Sequence, residues 1–544
     1  MPALPPVEWW RTAVIYQIYP RSFADSDGDG VGDLPGITSR LGALKELGVD
    51  AVWLSPFMTS PQRDAGYDVS NYCDVDPLFG TLSDFDALLT TAHGFGLRVV
   101  VDLVPNHSSI DHPWFREAVA AGPEAVERAR YVFRQGGGVA GELPPNNWQS
   151  VFGGPAWTRI TEADGTPGPW YLHLFDSSQP DFDWNNPWVR ERFREVLRFW
   201  LDRGVDGFRV DVAHGLVKAA GLPDYEPPTG VSTGGGAAPY WAQDGVHEVW
   251  RDWRRVLAEY GPERVLIAEA WVAPLSKMAN WVRPDEMHQA FNFAYLETPW
   301  DAAALRAVVN ESIAAFASVG APSTWVLSNH DVIRHPSRLA LTPPPPQGEG
   351  IGPRSPRHPD EAVGLRRGRA ATAFMLALPG SAYVYQGEEL GLPEVIDLPD
   401  SARQDPTFAR TAGKIYGRDG CRVPIPWEAD SPAAGFNTTG ASWLPQPETW
   451  GRYARDAQRG VPGSTLEFYR LALAARRASS LATGTLKWLP SQPDVLAFRN
   501  GDLTIIANAG ATPVPLPAGT IVVASGEVSG DVLPGDTTVW LRAE

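Results

Sequence analysis

With 544 residues, 43% of them hydrophobic, and 22 Trp, 15 Tyr and 21 Phe, the chain is long enough for a large core in two or three domains and too apolar to be disordered. A formal charge of -18 argues against nucleic acid or an anionic membrane as partner, because phosphate recognition relies on clustered Lys and Arg, so a neutral small molecule fits better. Only Cys73 and Cys421 occur, no apolar run of about 18 residues is available to span a membrane, and MPALPPVEWW lacks an export pattern. A cytoplasmic protein, monomeric or a small homo-oligomer, is expected.

In chain order, the first strand-like run is AVIYQIYPRSF (13 to 23). DSDGDGVGD follows directly, presenting Asp25, Asp27, Asp29 and Asp33 at odd spacing around glycines. Hard cations such as Ca2+, or Mg2+ in its place, bind several carboxylates plus a backbone carbonyl, here from Val31; a solvated acidic turn is the alternative. The loop is not an EF-hand, because position twelve from Asp25 is Gly36 rather than Glu.

Further apolar runs come at 51 to 57, 97 to 107, 208 to 214, 265 to 271, 288 to 293, 324 to 331 and 382 to 390. Eight such runs with amphipathic helices between them predict an α/β fold, a (β/α)8 TIM barrel buried on both faces. Polar residues cluster at the C-terminal ends of four runs: Asn106 with His107, Arg209 with Asp211, Glu269, and His330 with Asp331. Strand alternation puts Arg209 and Asp211 on one side. Barrel active sites form at that end, and three acids aimed into one mouth suit glycosidic cleavage, which needs one carboxyl as acid and a second as nucleophile or base.

The Gly, Pro and Trp-rich stretch 108 to 180 is too long for a simple loop and predicts a small subdomain after the third strand. TPPPPQGEGIGPRSPRHP (342 to 359) reads as a mobile loop that could gate the site. From about Leu466 short strands with turn chemistry predict an all-β sandwich, with Asn500 and Gly501 at a hairpin tip. The expected organisation is therefore a barrel of 1 to 107 and 181 to 465, an inserted subdomain of 108 to 180, and a C-terminal β-domain of 466 to 544.

DLVPNH (102 to 107), GFRVDVAH (207 to 214), AEAW (268 to 271) and SNHD (328 to 331) resemble the four signature regions of the α-amylase family of glycoside hydrolases. QPDFD (179 to 183) is similar to a further signature of its α-glucosidase and oligo-1,6-glucosidase branch. The resemblance implies Asp211 as nucleophile, Glu269 as general acid/base and Asp331 as transition-state stabiliser, with Arg209, His107 and His330 as their partners. It also implies that the bound calcium is structural. DAGYD (64 to 68) resembles a motif whose Asp64 binds the non-reducing-end glucose and whose Tyr67 stacks on it. YGRDGCRVPIPW (416 to 427) resembles the stretch whose arginine pairs with that Asp, here Arg418 or Arg422, and Phe152 matches an aromatic of the first subsite. Val212, after the nucleophile, matches a position where Val accompanies α-1,6 activity. The implied activity is a retaining exo-α-glucosidase acting on small oligosaccharides such as maltose, isomaltose or sucrose. The alternatives are a transglucosylase or isomerase with the same apparatus and, less favoured, a non-catalytic carbohydrate-binding relative.

Overall fold

The computed structural model describes residues 8–226, 238–346 and 348–543. All eight expected runs contain strands: β1 (Val14–Ile18), β2 (Ala51–Leu54), β3 (Arg98–Leu103), β4 (Gly207–Val210), β5 (Val265–Ala268), β6 (Gln289–Ala290), β7 (Thr324–Val326) and β8 (Ser381–Tyr385). They pair in parallel in the order β6-β5-β4-β3-β2-β1-β8-β7. The Asn292 N–H donates to the Thr324 carbonyl at 3.2 Å, joining the two ends into a barrel.

Alternation sorts each strand between two cores. Ile15, Val100, Val265, Ile267, Val326 and Tyr383 fill the interior with Trp53 and Phe291, while Val14, Tyr16, Val52, Leu54, Val99 and Val101 pack outward. Burying each such side chain contributes about 1.5–3 kcal/mol. That two-sided demand is why the strands read as continuous apolar runs. The helices between them start and stop on local chemistry. Leu34–Leu47 is capped by Asp33, which accepts the Gly36 N–H, and stops at Gly48 with φ 97°. Thr81 and Asp84 form a capping box on Leu82–Gly94.

The insert after β3 contains a three-stranded antiparallel sheet of Phe133–Arg134, Trp157–Thr161 and Pro167–Leu172. Its two ends meet at the barrel mouth, where the Phe182 N–H donates to the Asn106 carbonyl at 3.0 Å. Short strands were expected from Leu466, but Thr465–Ala478 is a helix that occupies the outer ring after β8. Buried Arg476 on it donates to the Leu378 and Gly380 carbonyls. The five-stranded antiparallel sheet begins at Lys487, with Asn500 and Gly501 at the expected hairpin.

Candidate active site

The register of β3 against β4 sets Asp102 directly beside Arg209, and alternation carries Arg209 and Asp211 to the same side. Arg209 Nη1 lies 2.9 Å from Asp102 Oδ1 and 2.7 Å from Asp211 Oδ1, while Nη2 lies 3.8 Å from Glu269 at the end of β5. One buried guanidinium thus ties three carboxyls from three strands. Trp53 Nε1 and Tyr67 Oη both donate to Asp102 Oδ2, satisfying the oxygen that Arg209 shares.

Burial pushes the Asp211 carboxyl up against the pull of Arg209, and Glu269 adds to the rise. Burial also raises Glu269, opposed by Arg209 and by the Val212 N–H, which donates to Glu269 Oε2 at 2.7 Å. For Asp331 burial acts the same way, but His330, Arg418 and Arg422 outweigh it and hold the carboxyl well below the usual range.

His330 is buried and sandwiched between the Tyr67 and Tyr19 rings, at 5.4 and 5.6 Å. Burial pushes it well below the ordinary histidine range, so it is neutral. Gln17 Nε2 donates to its Nδ1 at 2.7 Å, which puts the proton on Nε2, 2.6 Å from Tyr67 Oη and 3.3 Å from Asp331 Oδ2. His107 is lowered to about 4 by burial, and the Gln179 amide links it to Asp64.

Asp64 resolves the choice between the two arginines. Arg418 Nη2 is 3.0 Å from Asp64, Nη1 is 3.1 Å from Asp331, and Nε is 2.6 Å from Asp405. Arg422 instead bonds Asp331 at 2.8 Å and the His330 carbonyl. Arg418 also lies 5.2 Å over the Phe152 ring, so the insert, the barrel and the segment after β8 converge on it. Beside Arg418 and Asp331 a cavity of about 210 Å3 is lined in part by Pro344, Pro345, Pro346 and Gly350. This portion of the loop is tied down, since Tyr416 and Gly417 N–H both donate to the Glu349 carbonyl. Gln347 lies outside the described residues.

The structure therefore gathers Asp211, Glu269, Asp331, Asp64, Tyr67, His107, Phe152, Arg209, Val212, His330 and Arg418 at one mouth. Sequence reading missed Gln17, Asp102, Gln179 and Asp405. Asp102 opens the quoted DLVPNH and was legible by its spacing, and Gln179 opens the quoted QPDFD, though its contact with Asp64 comes from the fold; Gln17 and Asp405 meet the site only through the fold.

In the acidic loop, Asp25, Asp27 and Asp29 each offer a carboxylate oxygen within 4.8 Å of the others, a donor set that fits a hard cation. Asp33, expected as a fourth acid, is outside that cluster. Its oxygens accept from the Ser26 N–H and hydroxyl and from the Gly36 N–H, which makes it the cap of Leu34–Leu47. Val31 donates its N–H to Asp29 Oδ1 at 2.8 Å.

Among the described residues no helix is long and apolar enough to cross a membrane. The α-amylase catalytic-domain family matches residues 17–484. A probable alpha-glucosidase of Rhizobium meliloti (strain 1021) is 39% identical over 510 residues, covering 91% of this chain and 87% of that protein. An oligo-1,6-glucosidase of Parageobacillus thermoglucosidasius is 34% identical over 93% of this chain and 91% of its own length. The solved structure of XgtA, an alpha-glucosyl transfer enzyme, superposes with a TM-score of 0.84 at 35% identity, over 98% of this chain and all of that one. Barrel, carboxyl cluster and likeness together make this chain a glycoside hydrolase of the α-amylase family.

Proposed function

We propose that the chain is a retaining exo-α-glucosidase that releases glucose from the non-reducing end of short oligosaccharides, with Asp211 as nucleophile, Glu269 as general acid/base and Asp331 as transition-state stabiliser. The observation that carries this reading is the unequal reach of Arg209, 2.7 Å from Asp211 but 3.8 Å from Glu269. Two buried carboxyls sharing one mouth do not both ionise easily; the nearer cation keeps the anion on Asp211 and leaves the proton on Glu269. Asp211 then attacks the anomeric carbon while Glu269 protonates the departing oxygen. The sugar is left as a glucosyl ester on Asp211. Water, losing its proton to the now ionised Glu269, attacks the same carbon and restores the α configuration.

The Asp64–Arg418 pair supports action at chain ends, because a salt bridge spanning the pocket leaves no path for a longer chain on that side. The names of the relatives support maltose and isomaltose as substrates. The likeness to an alpha-glucosyl transfer enzyme favours a second outcome of the same intermediate, transfer to a sugar acceptor in competition with water. We also propose that Asp25, Asp27 and Asp29, with the Val31 carbonyl, hold a structural Ca2+, or Mg2+ in its place. The reading is tested by incubating the protein separately with maltose, isomaltose and sucrose and resolving glucose, its first-formed anomer and any larger products. Release of α-glucose supports it; release of β-glucose first, or no release, overturns it.

A further inference from the structure

We infer that Val212 is a positioning residue whose backbone N–H, aimed by a left-handed turn, fixes the Glu269 carboxyl and decides which of its oxygens carries the proton. The inference rests on Glu269 acting as the acid/base. Val212 adopts φ 45°, a region that β-branched residues avoid, and this strain sits immediately after Asp211, where an outlier points to function.

Three hydrogen bonds hold the turn. The Gly215 N–H donates to the Val212 carbonyl and the Ala213 N–H to the Glu269 carbonyl, both at 2.8 Å. Trp281 Nε1 donates to the Ala213 carbonyl, also at 2.8 Å. A side chain at position 215 would come within 2.6 Å of Val212 Cγ1, so the glycine lets the turn close. Its product is the 2.7 Å contact from the Val212 N–H to Glu269 Oε2.

An N–H can only donate, so Oε2 accepts, and because the carbonyl oxygen of a protonated carboxyl is the better acceptor, this contact favours the acidic proton on Oε1. The same donor stabilises the carboxylate left after protonation of the leaving group, so the carboxyl need not reorient between the two half-reactions. The other charged groups facing Glu269 are Asp211 and Arg209 from β4 and Asp331 beyond β7. His214 nearby is kept neutral by burial, its value lowered to about 3. Arg209 is 3.8 Å away, and the Val212 amide is the nearer of the two.

The test replaces the amide by an ester, incorporating α-hydroxyisovaleric acid at 212 in the full chain, with the corresponding lactic acid ester at 213 as comparison. Losing a donor to a charged group raises Glu269, so the 212 ester should move the alkaline limb of kcat/KM up by about one pH unit. It should lower kcat by about tenfold or more, with KM within about threefold. The 213 ester removes a bond of the same turn to a backbone carbonyl and should lower Tm without moving the limb. An unmoved limb at 212, or equal movement in both, overturns the inference. Glu269→Ala with azide separates the two levels: retained glucosyl azide upholds the acid/base reading whatever the esters do, and no rescue overturns that reading and the inference with it.

Discussion

Replacing Arg418 by Met keeps an apolar stem and removes a fork that touches three carboxylates, Asp64 at 3.0 Å, Asp331 at 3.1 Å and Asp405 at 2.6 Å. Breaking a single buried pair by removing one partner costs about 3–5 kcal/mol, because the other charge is left buried and unpaired. The carboxyl that gives way first should be Asp64, which burial, opposed by Arg418 and Arg422, already raises to about 6. At pH 7 that leaves about one molecule in ten protonated. Without Arg418 the value passes 7 and most molecules are neutral. If Asp64 grips a sugar hydroxyl as an anion, losing a charged hydrogen bond of about 1.5–3 kcal/mol lowers kcat/KM by about ten- to a hundredfold at pH 7. Measured on maltose or isomaltose from pH 5 to 9, Arg418→Met should shift the acid limb upward and recover part of its rate at high pH. Arg418→Lys, which keeps charge but not the fork, should fall between. A kcat/KM within threefold of the parent and an unmoved acid limb would refute this reasoning.

Burial would raise Asp405, but Arg418 and Arg422 outweigh it and lower the carboxyl to about 2. Its folded value lies below the ordinary one, so it contributes roughly 2 kcal/mol that is present above about pH 4 and lost as pH falls to 2. Asp405→Asn should therefore lower Tm at neutral pH and flatten the acid part of the Tm profile; a profile parallel to the parent's contradicts this. Val212→Thr keeps the β-branch in the same turn and exchanges one methyl for a hydroxyl, so the ratio of isomaltose to maltose rates should drop by about tenfold. An unaltered ratio sinks the linkage reading and spares the rest. Exhaustive chelation should lower Tm more than the initial rate at moderate temperature. No change in Tm, with no metal found by elemental analysis, counts against the acidic-loop site.

The barrel was legible because each strand is buried on both faces, so β1 to β8 stand out as apolar runs, and their polar ends marked the mouth. The helix Thr465–Ala478 was missed because its Leu, Ala and Arg pattern borders a strand-rich segment, and only its packing through Arg476 beneath β8 reveals the last barrel helix. The acids of the site were legible from their strand ends. Gln17, Gln179 and Asp405 were not: Gln17 and Gln179 matter through His330 and Asp64, each more than 100 residues away, and Asp405 through nearby Arg418, whose own place in the site is set by its bridges to distant Asp64 and Asp331. Asp33 reads in the sequence as one more acid of the loop, and its second part, the cap of the helix Leu34–Leu47, shows only once that helix is placed. The turn at Val212 could not be read at all, because nothing in a valine announces a positive φ.

The most direct test of the proposed chemistry is to trap the glucosyl-enzyme with 5-fluoro-α-glucosyl fluoride and locate the adduct by peptide mass spectrometry. A single glucosyl adduct on Asp211, formed as activity is lost and released as activity returns, is the predicted result. An adduct on Glu269 or Asp331, or turnover of the fluoride to β-configured product with no adduct at all, would contradict it.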